Sequence, residues 1–143
     1  MHHISKDSAD HIIQLDLSDE FIFVKIDARL IMQVIINIVN NAIKYTPLGS
    51  TIKITTKKLN QVLTLEISDD GEGVPDDQKE KLFEMFYTVK HEVIDGRRGL
   101  GLGLALCKAI IVAHGGNIAV KDNIPHGTIF SFTLPIKEVE IHE

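Results

Sequence analysis

The sequence predicts an α+β domain: a two-layer sandwich in which a mixed, mostly antiparallel sheet is covered on one face by helices. Three observations carry this. Two long segments repeat apolar residues at spacings of three and four, as a helix with one buried face does. Several short segments alternate apolar and polar residues, as half-buried strands do. The two kinds follow one another without the regular strand-helix-strand repeat that builds a parallel sheet.

His11 to Leu17 and Phe21 to Ile26 carry the Ile, Val and Phe content of short strands, and Ser18-Asp19 between them predicts a hairpin. Asp27 then stands as N-cap before a long helix with Leu30 or Ile31, Val34, Ile35, Ile38, Val39 and Ala42 on its apolar face. Pro47-Leu48-Gly49 ends it. Thr51–Thr56 and Val62–Ser68 alternate as a pair of antiparallel strands. Asp70-Gly71-Glu72-Gly73 breaks the second, and Pro75 with Asp76 and Asp77 starts a short helix reaching about Met85. A charged stretch from Thr88 to Arg98 has no period. A second long helix follows the glycines at 99, 101 and 103, with Leu102, Leu106, Ala109, Ile110 and Ala113 as its apolar face and Gly115-Gly116 as its stop. Asn117–Lys121 and Thr128–Leu134 complete the sheet.

The chain has 143 residues, 44% hydrophobic and 24% charged, which is the make-up of one globular domain with a real core. Its net charge of −5 offers no general attraction to nucleic acid or an anionic membrane, and no basic stripe overrides it locally. A single cysteine, Cys107, excludes an intramolecular disulfide framework and fits a reducing compartment. Apolar runs such as Ile110-Ile111-Val112 stop far short of a bilayer span, and no signal peptide opens the chain. The expectation is a segment that neither spans nor enters a membrane, compatible with the soluble end of a longer membrane protein. His2, His3 and His11 read as a tag remnant or solvent-exposed residues, and no His-Glu-x-x-His or Cys pair suggests zinc. His114 and His126 read as a helix end and a turn.

Three constellations could carry chemistry. On the first helix Asn37, Asn41 and Lys44 share one face, with Tyr45 beside Lys44. They form either an exposed polar stripe or a site where a neutral amide oxygen completes a Mg²⁺ shell while Lys44 meets phosphates. Asp69 shares the parity of Leu63, Leu65 and Ile67, so a carboxylate stands at the mouth of the core. It either caps the next helix or accepts from a group such as an exocyclic amine, with Gly71 and Gly73 letting the backbone approach a ligand. Gly99, Gly101 and Gly103 open a helix directly after Arg97 and Arg98, a place where backbone N–H groups can meet phosphate. Leu104 and Leu106 stand where a dinucleotide fingerprint wants glycine, and no Gly-Lys pair exists for a P-loop.

In this order the three resemble the ATP-binding catalytic domain of sensor histidine kinases, of the Bergerat or GHKL fold shared with gyrase B, Hsp90 and MutL. Asn37-Ile-Val-Asn-Asn41-Ala-Ile-Lys44-Tyr45 resembles that family's asparagine box and Asp69-Asp-Gly71-Glu-Gly73 its first glycine box. Leu82-Phe83-Glu-Met-Phe86-Tyr resembles its phenylalanine box and Gly99-Leu-Gly101-Leu-Gly103-Leu its second glycine box. The run from Asp95 to Lys108, followed by His114-Gly-Gly, is most similar to the potassium-responsive Kdp-type kinases.

The resemblance implies that the whole chain is one catalytic domain, and that its phosphoacceptor and sensor parts lie elsewhere. It implies Mg-ATP as ligand, with Asn41 on the metal, Asn37 and Lys44 facing the phosphates as the catalytic pair, Tyr45 lining the pocket and Asp69 accepting from the adenine amine. Thr88 to Arg98 would form a lid, and Arg97, Arg98, Gly99, Gly101, Gly103 and Leu104 would close on the triphosphate. Phe83 and Phe86 would dock that lid or sit in plain core. The implied partners are a dimerisation domain carrying the acceptor histidine and a response regulator, and the implied location is the cytoplasmic part of a membrane sensor kinase.

The departures are also informative. Asn37 stands where gyrase-like members carry a water-activating Glu, which suits transfer to an already nucleophilic imidazole and slow hydrolysis. Thr88 stands where many members have Arg, leaving Lys90, Arg97 or Arg98 to supply that charge, and Asp70 replaces a frequent Asn with small expected consequence. His91-Glu92 lacks the residues expected after an acceptor histidine. Two rival readings remain: an anti-sigma-factor-type serine kinase, disfavoured by the lack of a Glu base at Asn37 or Asn40, and a nucleotide-sensing interaction module without transfer, which Thr88 keeps open.

Overall fold

The computed structural model describes residues 11–18, 22, 24–84 and 102–136. These form strands β1 (Ile12–Asp16), β2 (Thr51–Leu59), β3 (Val62–Asp69), β4 (Ile118–Asp122) and β5 (Thr128–Pro135), and helices α1 (Ala28–Tyr45), α2 (Asp76–Lys79) and α3 (Leu102–Ala113). A 3₁₀ turn, Glu80–Phe83, extends α2. The sheet order is β1-β2-β3-β5-β4, with β1 parallel to β2 and every other pairing antiparallel. The fold is therefore the expected mixed, mostly antiparallel sheet with helices on one face.

Register explains the layering. Ile52 and Ile54 on β2, Ile67 on β3 and Phe130, Phe132 and Leu134 on β5 point to one side and are buried. Against them α1 lays Ile31, Val34, Ile38, Val39, Ala42 and Ile43, and α3 lays Cys107, Ile110 and Ile111. Phe83 packs edge-on to Phe130, ring centres 6.3 Å apart, and lies partly buried against the core. The other sheet face is polar. There Glu66 meets Lys57 on β2 at 3.1 Å and Lys121 on β4 at 3.3 Å. Burial pushes the Glu66 carboxyl up, but the hydrogen bonds and charges of both lysines outweigh that and hold it below its ordinary range.

Capping matches the sequence at both ends of α1. Asp27 accepts from the backbone N–H of Arg29 at 3.0 Å and Leu30 at 3.2 Å. Thr46 leaves the helix in extended conformation just before Pro47. Between Leu30 and Ile31, the structure buries Ile31 and leaves Leu30 exposed.

Two expectations are corrected. Among the described residues no hairpin joins the first two segments: β1 pairs in parallel with β2, with Ile13 opposite Ile52 and Leu15 opposite Ile54. Ile22 and the residues 24–27 carry no strand, and Val24 and Ile26 instead pack their side chains on the core. β2 offers unpaired backbone groups along its edge, with Ile52 and Ile54 beside Ile13 and Leu15, so a distant pairing replaces the local one. The apolar face assigned to α3 is also rotated. Leu106 is 49% exposed and Ala109 and Ala113 are exposed, whereas Cys107, Ile110 and Ile111 are buried. Apart from Gly103 and Lys108 the helix is apolar all round, so its periodicity fits more than one face. Neighbouring elements choose among them.

Candidate functional site

Asp69 is a buried, multiply hydrogen-bonded polar residue. It ends β3 on the core side and is only 7% exposed. Its Oδ1 accepts from the backbone N–H of Gly71 at 2.9 Å and of Thr128 at 3.2 Å. No described donor meets Oδ2. Since no buried side-chain polar atom among the described residues lacks a partner, Oδ2 is open to the surface. Burial pushes the carboxyl up, the two backbone donors oppose this, and neighbouring Asp70 adds to the rise. The net direction is upward. An acceptor in an apolar frame, with one oxygen fixed and one open, suits a single neutral N–H donor.

Gly71 and Gly73 follow as expected, and the structure gives each a reason. A Cβ on Gly71 would lie 2.8 Å from Cγ2 of Thr46, so its bareness lets the end of α1 close on the Asp69 turn. Gly73 has a φ of +86°, a conformation suited to glycine. Thr46 is itself held, because its hydroxyl donates to Ala42 O at 2.7 Å and therefore accepts from His11 Nε2 at 2.9 Å. His11 is thus a buried residue seated behind the turn, not a solvent-exposed tail residue. Asp70 also does more than expected, accepting from the Thr51 N–H at 3.1 Å and tying the turn to the start of β2.

On α1 the stripe is real. Gln33 donates to Asn37 Oδ1 at 3.1 Å, and Asn37 Nδ2 meets Cys107 Sγ of α3 at 3.8 Å. Asn37 therefore bridges the two long helices. Asn41 lies one turn further on, half-buried and with no hydrogen bond from its amide among the described residues, and Lys44 is exposed in the last turn. Tyr45 ends the helix, and its side chain lies outside the described residues. Gly103 is exposed with open space around it, whereas Leu104 is half-buried against the core. Phe86, Thr88, Lys90, His91, Arg97, Arg98, Gly99 and Gly101 also lie outside the described residues.

The C-terminal end of α1 thus meets the Asp69 turn through Thr46, and α1 meets α3 through Asn37. Within the described residues no group of three or more His, Cys, Asp or Glu could hold a metal ion. Asn41 supplies one neutral oxygen, which fits a Mg²⁺ whose other ligands are phosphate and water.

Sequence reasoning missed the turn between β4 and β5. Asn123 Nδ2 donates to Asp69 O at 2.7 Å, His126 Nδ1 donates to Gly71 O at 3.2 Å, and Thr128 supplies the second N–H to Asp69. These partners lie 54 to 59 residues apart in the chain, a separation over which no local pattern speaks. Asn117 to Thr128 gave only strand and turn signals.

Residues 26–138 match the family described as histidine kinase-, DNA gyrase B-, and HSP90-like ATPase. The chain belongs to that family. Within this ATPase family it resembles histidine kinases. It is 41% identical over 131 residues to the sensor protein KdpD of Clostridium acetobutylicum, covering 92% of this chain and 15% of that one. Its structure is similar to the catalytic domain of histidine kinase ThkA, with a TM-score of 0.75, 33% identity and coverage of 88% of this chain and 80% of that one. A second match is ThkA in complex with the response regulator protein TrrA, with a TM-score of 0.73, 31% identity and coverage of 89% and 34%. The chain spans about 15% of the length of the KdpD relative, and among the described residues no helix is long and apolar enough to cross a membrane. In this chain Asn37, Asn41 and Lys44 lie on α1, and Asp69 ends β3.

Proposed function

We propose that this domain binds Mg-ATP and presents the γ-phosphate to a histidine on a separate dimerisation domain of the same sensor kinase, from which a response-regulator aspartate later takes it. The observation that carries the reading is Asp69: a buried carboxylate with one oxygen locked by two backbone N–H groups and the other open, as recognition of an adenine amine requires. Asn41 would contribute an amide oxygen to Mg²⁺, which when bound neutralises phosphate charge. Asn37 and Lys44 would face the phosphates, and Tyr45 would line the pocket. Gly71, Gly73, Arg97, Arg98, Gly99, Gly101, Gly103 and Leu104 would surround the nucleotide.

In the transfer, an imidazole nitrogen of the acceptor forms the N–P bond as the bond from γ-phosphorus to the bridging oxygen breaks and ADP leaves. This chain's part is positioning and charge neutralisation. The first position of the asparagine stripe carries an amide that cannot take a proton from water, so hydrolysis without an acceptor is slow. The match to a ThkA complex with a response regulator supports the same chain of partners. The parent protein is read as a membrane sensor kinase with this domain on its cytoplasmic side.

The test is transfer of labelled γ-phosphate from ATP to a separately supplied dimerisation domain of the parent kinase. Acid-labile, base-stable label on that domain, absent without this chain, is the expected result. Label on a hydroxyl would instead favour a serine kinase, and nucleotide binding without any label would favour a sensing module.

A further inference from the structure

We infer that the turn between β4 and β5 is the element that aims Asp69, and that Asn123 is its positioning residue for purine-base selectivity. This rests on the reading of Asp69 as the base acceptor.

The turn holds Asp69 at both ends of the residue. Asn123 Nδ2 donates to its backbone oxygen at 2.7 Å, and the Thr128 N–H donates to its carboxylate Oδ1 at 3.2 Å. His126 adds a bond from Nδ1 to Gly71 O at 3.2 Å, so the residues on either side of Asp70 are gripped by the same six-residue segment, 123–128. The loop is closed on itself: Asn123 N–H donates to Gly127 O at 3.0 Å, and Asn123 Oδ1 accepts from the Ile124 N–H at 3.0 Å. That second bond fixes which end of the Asn123 amide faces Asp69. Gly127 has a φ of +115°, and a Cβ there would lie 2.0 Å from Asp69 O, so glycine alone permits the approach. Beneath the loop, Lys79 Nζ ties Asp122 at 3.0 Å and Val74 O at 2.9 Å, anchoring it to the segment that leaves Gly73.

A carboxylate selects between an amine and a carbonyl only if its open oxygen is held in direction, because rotation would let water or a neighbouring donor satisfy it instead. Gly71 is the only donor to Oδ1 from Asp69's own turn. Besides the pairing of β3 with β2, which sets Asp69 opposite Ile52, the described hydrogen bonds to the residue from elsewhere in the chain come from the segment 123–128. Asn123 touches no ligand in this scheme and acts through Asp69.

The experiment compares binding of ATP with that of inosine triphosphate, which carries a carbonyl where adenine has its amine, for the unmodified domain and Asn123→Ala, with thermal melting alongside. The unmodified domain should prefer ATP. In Asn123→Ala, ATP affinity should fall by about tenfold while inosine triphosphate affinity stays within about twofold, collapsing the preference. Equal loss for both nucleotides, or an unchanged preference in a folded variant, overturns the assignment. Should Asn123→Ala fail to fold, Asn123→Asp serves: it keeps the acceptor for the Ile124 N–H, removes the donor to Asp69 O, and should lower the preference likewise. If the unmodified domain binds ATP without preferring it, Asp69 is not the base acceptor and both readings fall. Loss of preference confined to the Asn123 variants separates the two.

Discussion

Replacing Asp69 by Asn keeps an oxygen at Oδ1 for the Gly71 and Thr128 N–H groups and puts an amide donor where the open carboxylate oxygen stood. The turn should therefore survive while its recognition inverts, losing ATP and gaining inosine triphosphate in competitive binding. Stability should not fall. Because the fold raises the Asp69 carboxyl above its unfolded value, its contribution is fully present below the ordinary Asp range and is lost as pH rises through the folded pKa. Asn removes that loss, so melting at neutral pH should match or exceed the unmodified domain, and a clear drop in melting temperature would contradict this. Gly127→Ala should do the opposite, costing more than about 2 kcal/mol in denaturant unfolding, since the added carbon meets backbone at 2.0 Å in a left-handed conformation.

Between elements, the contact of α1 with α3 centres on Cys107. Burial pushes its thiol up to about 11 from an ordinary 9.0, with the Asn37 amide opposing. The neutral thiol is thus a folded-state preference, fully stabilising below the unfolded value and lost as pH rises towards 11. Two pH units correspond to about 3 kcal/mol. Unfolding followed between pH 8 and 11 should show that decline in the unmodified domain and a smaller one in Cys107→Ala. The rotation of α3 makes its own prediction. Ile111→Ala should cost about 2–5 kcal/mol and Val112→Ala, at an exposed position, no more than about 0.5 kcal/mol. Similar costs at both would contradict the burial found for α3. The long, amphipathic α1 was readable to within a residue, cap included, because its buried residues from Ile31 to Ile43 recur along one face and Asp27 caps it. For α3 the sequence offered several apolar faces, and the choice was made by α1, the 3₁₀ turn and the sheet. The expected hairpin failed for a related reason: local strand propensity says nothing about which edge a strand will find.

At the scale of the molecule, the boxes visible in sequence correspond to places where a few neighbouring residues share one helix face or one turn. Asn37, Asn41 and Lys44 share a helix face, and Asp69 to Gly73 share a turn, so each is legible within a short window. Their support is assembled across the chain. His11 reaches Thr46 over 35 residues, Asn37 reaches Cys107 over 70, and Asn123 reaches Asp69 over 54. None of these pairings has a local signature, so the sequence shows the groups that would touch a ligand better than the groups that hold them. On the proposed reading, the α1 stripe and the Asp69 turn form one Mg-ATP site. Calorimetric titration of the domain with ATP, with and without Mg²⁺, and of Asn41→Ala in parallel, tests it most directly. The account predicts micromolar to millimolar binding strengthened by Mg²⁺, and an Asn41→Ala variant that keeps metal-free binding while losing the strengthening. Absence of binding by the unmodified domain, or full Mg²⁺ dependence in the variant, would contradict it.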